Sequence, residues 1–258
     1  MGCFSDALGL LADKYSVNIE YFEEVASTNN QAADSKYGHG DIIITDYQTL
    51  GRGQRGNKWS STSGENLMFT VVLEPACLPA ELQFYISKIV PLAIIKVLED
   101  FGIPAKIKWT NDVYVDDKKI AGILIENDIM GTVISRSIAG VGLNVNQTQF
   151  DPTLPNPVSL QMITGIEYDR AEVLDKFIHY FIHYFNKMES QDYDSINEEY
   201  LRNLYRRDEE HRFVLPGGGI INGVIRNVKE TGELIVEHSG NGIRFYKSYL
   251  FKEIDFII

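Results

Sequence analysis

Apolar positions along the chain recur with two spacings. Short β-branched or alternating runs predict strands, and three- and four-residue steps predict helices. Residues 17–25 predict a first short strand. Ser27-Thr28-Asn29-Asn30-Gln31-Ala32-Ala33 predicts a capped helix start, with Ser27 or Thr28 supplying the capping oxygen. The β-branched run at 41–46 predicts a buried strand, a glycine-rich loop follows at 51–56, and 66–73 predicts the next strand. Over 80–101, Leu82, Tyr85, Ile89, Leu92, Ile95 and Leu98 fall on one helical stripe. Gly102 offers a stop there, and Pro91 predicts a kink or a break.

Three strand-like segments come next, at 103–115, 120–126 and 131–145. The connections are too short for a parallel return, so antiparallel pairing is expected. Residues 169–189 predict the clearest helix, with Asp169 and Glu172 as a capping box and Leu174, Phe177, Ile178, Phe181, Phe185 and Met188 as its apolar face. A second helix is expected at about 194–206, starting at Ser195. Beyond Arg212, short strands are split by Gly217-Gly218-Gly219, Asn222-Gly223, Thr231-Gly232 and Gly240-Asn241-Gly242. A boundary near 207 therefore separates a large domain, 1–206, from a small all-β domain, 207–258. A unit that small buries little core alone and is expected to pack on the large domain.

Composition narrows the class. The chain has 258 residues, with Lys+Arg 24 and Asp+Glu 36, for a net charge of −12. Long-range repulsion argues against general binding to nucleic acid or anionic membranes. No apolar run reaches the roughly 20 residues of a membrane span, and the first residues lack the pattern of a secretory signal. Cys3 and Cys77 form no CxxC pair and read as ordinary thiols of a reducing cytoplasm. His179 and His183 have metal-ligand spacing on a helix but lack HExxH, and their aromatic neighbours read as core. GxSxG is absent.

Three segments carry candidate chemistry. Gly51-Arg52-Gly53-Gln54-Arg55-Gly56-Asn57-Lys58-Trp59 satisfies GxGxxG but opens no helix, and it lacks the GK[ST] of a phosphate-binding P-loop. What remains is a glycine loop with three cations and no acid, suited to an anionic ligand; a solvated surface turn is the alternative. Lys108-Trp109-Thr110-Asn111-Asp112 could hold a phosphate, with Asp112 as a metal ligand, or be an edge strand with ordinary lysines. Gly140-Val141-Gly142-Leu143-Asn144 places glycines in a strand, which marks either a bulge or close approach of a ligand. Asn144 is a candidate for a purine or a phosphate.

Taken together, these pieces resemble the biotin protein ligases, the biotin–[acetyl-CoA-carboxylase] ligases. Gly51–Trp59 is similar to their GRGRxGxxW loop, Lys108–Asp112 to KWPND, Lys119–Glu126 to K(L/I)xGILxE, and Gly142–Val145 to GxN(V/L). Ser27-Thr28-Asn29 corresponds to their STN or STM segment. Gln54 stands where the family carries a second arginine that contacts biotin or its adenylate, and Thr110 stands where it carries proline. The resemblance implies an α+β fold: a mixed, mostly antiparallel sheet flanked by helices, with a small C-terminal Src-homology-3-like β-barrel. It implies a cytoplasmic enzyme using ATP, biotin and Mg²⁺ to form biotinyl-5′-AMP and modify a lysine of a biotin carboxyl carrier protein.

By that resemblance, Lys108 bridges the biotin carboxylate and the α-phosphate, while Arg52 and Arg55 close over the adenylate. Ser27, Thr28, Asn29 and Gln48 bind the biotin ring. Gly51, Gly53, Gln54 and Gly122 line the site, and Trp59 and Asn144 serve the adenine side. The family often dimerises. Its bifunctional members carry an N-terminal DNA-binding domain, and with motifs starting at Ser27 no operator binding is expected here. A lipoate or octanoate ligase of the same fold, or a non-catalytic binding module, are the competing readings.

Overall fold

The computed structural model of the chain describes residues 4–76, 78–240 and 243–258. Cys3, Cys77 and the pair 241–242 lie outside the described residues. In chain order the elements are α1 (Phe4–Tyr15), β1 (Ile19–Val25), α2 (Thr28–Ala32), β2 (Ile42–Gln48), β3 (Leu67–Leu73), α3 (Phe84–Asp100), β4 (Lys106–Lys108), β5 (Asp112–Val115) and β6 (Lys118–Met130). They continue as β7 (Val133–Leu143), α4 (Leu160–Thr164), α5 (Arg170–Glu189), α6 (Tyr193–Arg202), β8 (Glu210–Val214), β9 (Ile220–Val228), β10 (Leu234–Gly240), β11 (Ile243–Tyr249) and β12 (Asp255–Phe256).

Seven strands form one sheet in the order β1-β2-β3-β7-β6-β5-β4. Only β1 and β2 pair in parallel, joined across α2; the other pairs are antiparallel. The alternation of side chains along each strand divides the core in two. Ile42, Ile44, Leu67, Phe69 and Val71 face α3 and α5, where Phe69 meets Phe177 edge-on at 4.8 Å. Ile43, Val72 and Ile138 face the other way, against Ala32 of α2. β3 lies between two neighbours and is buried along its whole length, which is why its sequence is one apolar run.

Four expectations need correcting. Ser27 occupies the N-cap of α2, but its hydroxyl makes no capping bond. α3 runs unbroken through Pro91, because nearly every residue from Phe84 to Leu98 is buried and this packing outweighs the hydrogen bond that proline removes. α6 begins at Tyr193 rather than Ser195, whose hydroxyl instead donates to Asp192 Oδ2 at 2.7 Å. Asn222-Gly223 is no turn: it lies inside β9, where a Cβ on Gly223 would sit 2.5 Å from Val236 Cγ1. The expected cap of α5 is present, with the Asp169 carboxylate accepting from the Ala171 amide.

The C-terminal strands form a second, antiparallel sheet in the order β11-β10-β9-β8-β12. Its turns at Gly217-Gly218 and Gly232 use positive φ, which glycine adopts without a Cβ penalty. The sheet shares the main core through Phe213, Ile225, Val228, Leu234 and Val236. Backbone bonds from Ile107 N to Asn203 O and from Tyr205 N to Ile107 O tie its approach segment to β4. Among the described residues, no helix is long and apolar enough to cross a membrane.

Candidate active site

Three glycines on neighbouring strands leave room above the sheet. A Cβ on Gly142 of β7 would collide with the Trp59 indole, and one on Gly122 of β6 would meet it at 3.1 Å. A Cβ on Gly140 would collide with the Asn29 amide. The close approach expected at these glycines is thus made first by the chain's own side chains. Above this floor opens a cleft of about 360 Å³.

The glycine loop forms one side of the cleft as a short hairpin. Trp59 N donates to Gly51 O at 3.0 Å, and Gly53 N to Asn57 O at 2.7 Å. Gly51 admits no side chain, because a Cβ there would run into the Trp59 carbonyl. Arg52 and Lys58 face each other across the hairpin. The loop carries no acid, but β6 supplies one: Arg52 Nη2 lies 2.7 Å from Glu126 Oε2. The same oxygen accepts from Asn29 Nδ2 at 2.8 Å. Glu126 is a site residue that sequence reasoning missed; its signal was an acid ending the 120–126 run within strand reach of the loop. The Arg55 side chain lies outside the described residues. Trp59 Nε1 is buried with no partner among the described residues, a free donor at the cleft wall.

One end of the cleft is polar. The Thr28 amide donates to Gln48 Oε1 at 2.9 Å, and the Thr28 hydroxyl lies 2.8 Å from Thr70 Oγ1. Thr70 Oγ1 also lies 2.7 Å from Asn29 Oδ1. Ser27 joins the wall there. Placing Ser27, Thr28 and Asn29 at the start of α2, beside the end of β2, brings four polar side chains to one spot.

The other wall comes from β4, β5 and the C-terminal sheet. Lys108 is half-buried, and its Nζ lies 5.2 Å from the Tyr114 ring centroid and 5.1 Å from that of Phe256. It makes no hydrogen bond or ion pair among the described residues. Burial pushes the Lys108 ammonium below the usual lysine range, with Asp112 pulling it up and Lys119 pushing it down. Trp109 is buried beneath, its Nε1 donating to Gly232 O at 2.9 Å. Thr110 reaches Gln54 Oε1 at 3.4 Å, which links the hairpin tip to this wall. Asp112 is engaged by Lys119 Nζ at 2.8 Å. Among the described residues no three His, Cys, Asp or Glu side chains converge as a metal centre. Asp112 and Asp255 are carboxylates on the cleft wall.

Most of the residues singled out from sequence therefore meet in one place. Ser27, Thr28, Asn29, Gln48, Arg52, Gly53, Gln54, Trp59, Lys108, Asp112 and Gly122 all line the cleft, and Gly51 supports the hairpin behind it. Asn144 is not among them: its amide donates to Val158 O at 2.9 Å and ties the end of β7 to the segment before α4. Phe251, Asp255 and Phe256 line the cleft although nothing local in the sequence marks them.

Residues 21–144 match the family model described as the Biotin/lipoate A/B protein ligase family. The bifunctional ligase/repressor BirA of Bacillus subtilis is 29% identical over 177 residues, 66% of this chain and 54% of that one. The chain thus spans about half the length of that relative. The biotin–[acetyl-CoA-carboxylase] ligase of Paracoccus denitrificans is 29% identical over 204 residues, 75% of this chain and 82% of the other. The solved structure of the biotin protein ligase from Aquifex aeolicus in complex with biotin and ATP superposes with a TM-score of 0.77 at 27% identity, covering 92% of this chain and 97% of that one. The seven-stranded mixed sheet with helices and a small C-terminal β unit is the biotin protein ligase fold, and residues 21–144 are similar to the biotin/lipoate A/B protein ligase family.

Proposed function

We propose that this chain is an ATP-dependent biotin–protein ligase. It joins the biotin carboxylate to the α-phosphorus of ATP, releasing pyrophosphate and forming biotinyl-5′-AMP. An acceptor lysine amine of a biotin carboxyl carrier protein then attacks the acyl carbon, and AMP leaves. Neither step requires a nucleophile from the enzyme. The first brings two anions together, and a fixed cation lowers that barrier most.

Lys108 is the observation that carries this reading. A half-buried ammonium that feels Asp112 and Asp255 only at a distance and makes no hydrogen bond or ion pair among the described residues, on the wall of a cleft, is prepared for an anion brought by the substrate. It bridges the biotin carboxylate and the α-phosphate as negative charge gathers between them. Arg52, Arg55 and the hairpin amides cover the adenylate and keep water from the mixed anhydride. Ser27, Thr28 and Gln48 take the ureido ring, and the unpaired Trp59 N–H adds a donor to the wall. Asp112 would hold a Mg²⁺ ion, which would offset the charge of the ATP phosphates.

The polar end favours biotin over lipoate, because the biotin ureido ring can hydrogen-bond with the Gln48, Thr28 and Ser27 groups and the lipoyl dithiolane cannot. The test is pyrophosphate release in the presence of MgATP with biotin or with lipoate. Release with biotin alone supports the reading. Release with lipoate alone, or with neither, overturns it.

A further inference from the structure

The C-terminal sheet does more than pack beside the cleft. β12 pairs with β8 so that Phe256 stands opposite Phe213 in the register. The Phe256 ring lies 5.4 Å from that of Phe213 and 6.2 Å from that of Tyr205, and Tyr205 lies 5.5 Å from Tyr114. The four rings form one packed group at the junction of the two sheets. Lys108 Nζ sits against two of them, 5.2 Å from Tyr114 and 5.1 Å from Phe256.

A ring face attracts an ammonium without neutralising it. A carboxylate in the same place would hold the lysine more firmly but would use the charge that the reaction needs. Two rings therefore solve a specific problem: they fix a long, flexible side chain in the cleft and leave all three of its N–H donors for an incoming anion. One ring belongs to the catalytic sheet, the other to the C-terminal sheet.

We propose that Phe256 is a positioning residue for Lys108, so that the C-terminal sheet completes the adenylation site through the face of one aromatic ring. This rests on the reading of Lys108 given above. The ring attracts the ammonium in ground and transition states alike, and its effect on rate comes from fixing where the charge stands.

The experiment compares biotin-dependent pyrophosphate release by the full chain with that of Phe256→Tyr, Phe256→Leu and Phe256→Met. Tyrosine keeps a ring face, whereas leucine and methionine keep apolar volume without one. The tyrosine variant is expected to stay within about 3-fold of the parent, while the two aliphatic variants lose roughly 3- to 30-fold in kcat with the KM for biotin unchanged. Thermal unfolding is followed in parallel, and methionine serves if leucine does not fold. Aliphatic variants that fold and match the parent kcat overturn the proposal, as does a tyrosine variant as slow as leucine. If the parent itself releases no pyrophosphate with biotin, the reading of the whole site fails instead, so the two failures are distinct.

Discussion

Two lysines in this protein are withdrawn from water among aromatic rings, and they have different work. Lys88 is fully buried in α3, with its Nζ 4.2 Å from the Tyr85 ring centroid and 5.7 Å from those of Phe84 and Tyr200. Its ammonium donates to Asn197 Oδ1 at 2.9 Å. Burial lowers its pKa to about 8, with Glu230 pulling the other way. Lys108 lies against two rings to the three of Lys88 and is also lowered by burial, but no hydrogen-bond acceptor from the described residues meets it, and it stands on a cleft wall. Aromatic company is common to both. What separates the two lysines is whether the protein supplies the acceptor itself.

Removing each ammonium in turn tests whether the two lysines differ in this way. Lys108→Ala is expected to lower biotin-dependent pyrophosphate release by ~10²-fold or more, the scale of losing one transition-state donor. Lys88→Met is expected to stay within about 3-fold, because no reacting group is assigned to Lys88. Steady-state kinetics on both variants decide it. Near-parent release from Lys108→Ala, or a collapse in a folded Lys88→Met, would erase the distinction between the two sites.

Lys108 was legible in the sequence and Lys88 was not, for a physical reason. Lys108 sits in a short segment rich in polar and aromatic side chains, beside an acid and an amide, and the order of such segments along the chain carries the resemblance. Lys88 is a single polar residue on an otherwise apolar helix, and its partner Asn197 is 109 positions away. The same limit applies to Phe256, which reaches the cleft only because β12 pairs with β8. Glycines 122, 140 and 142 could be flagged as places of close approach, but not as seats for Trp59 and Asn29. An amide at a strand end suits a purine and a backbone carbonyl equally well; here the Asn144 amide meets Val158 O. Local alternation and turn residues gave the strands. Burial on several sides keeps α3 continuous through Pro91 and overrides the local cost of the proline.

An unfolded lysine titrates near 10.4, and Lys88 in the folded protein titrates at about 8. Between those values the unfolded chain holds more protons, so this group makes stability rise with pH across that window. Below about pH 8 both states are charged, and the burial cost is constant at roughly 2–3 kcal/mol. Lys88→Met should therefore be more stable than the parent at pH 7, by up to about 2 kcal/mol once the unpaired Asn197 is counted. That advantage should shrink towards pH 9.5. Denaturant melts of the two proteins between pH 7 and 9.5 test this, and subtracting one curve from the other cancels the buried tyrosines that titrate higher. A constant difference across the range would mean that Lys88 stays charged in the fold.

The smallest effect is expected at Arg52, which stands between the two extremes. It has a partner in Glu126, but the two side chains are 41% and 40% exposed. An ion pair that open to water contributes about 0–1 kcal/mol. A substrate phosphate can therefore take the guanidinium at little cost, and Glu126 keeps its second bond to Asn29 while it does so. Glu126→Gln retains an oxygen for Asn29 and removes the competing charge. The variant is expected to hold pre-formed biotinyl-5′-AMP about 2- to 5-fold longer, which corresponds to the worth of the lost pair. Its unfolding midpoint should barely move. The dissociation rate of labelled adenylate gives the answer. A faster release would mean that Glu126 seats the hairpin rather than competing for Arg52, and the cations of the cleft would then include one that is bound as firmly as Lys88 is in the core.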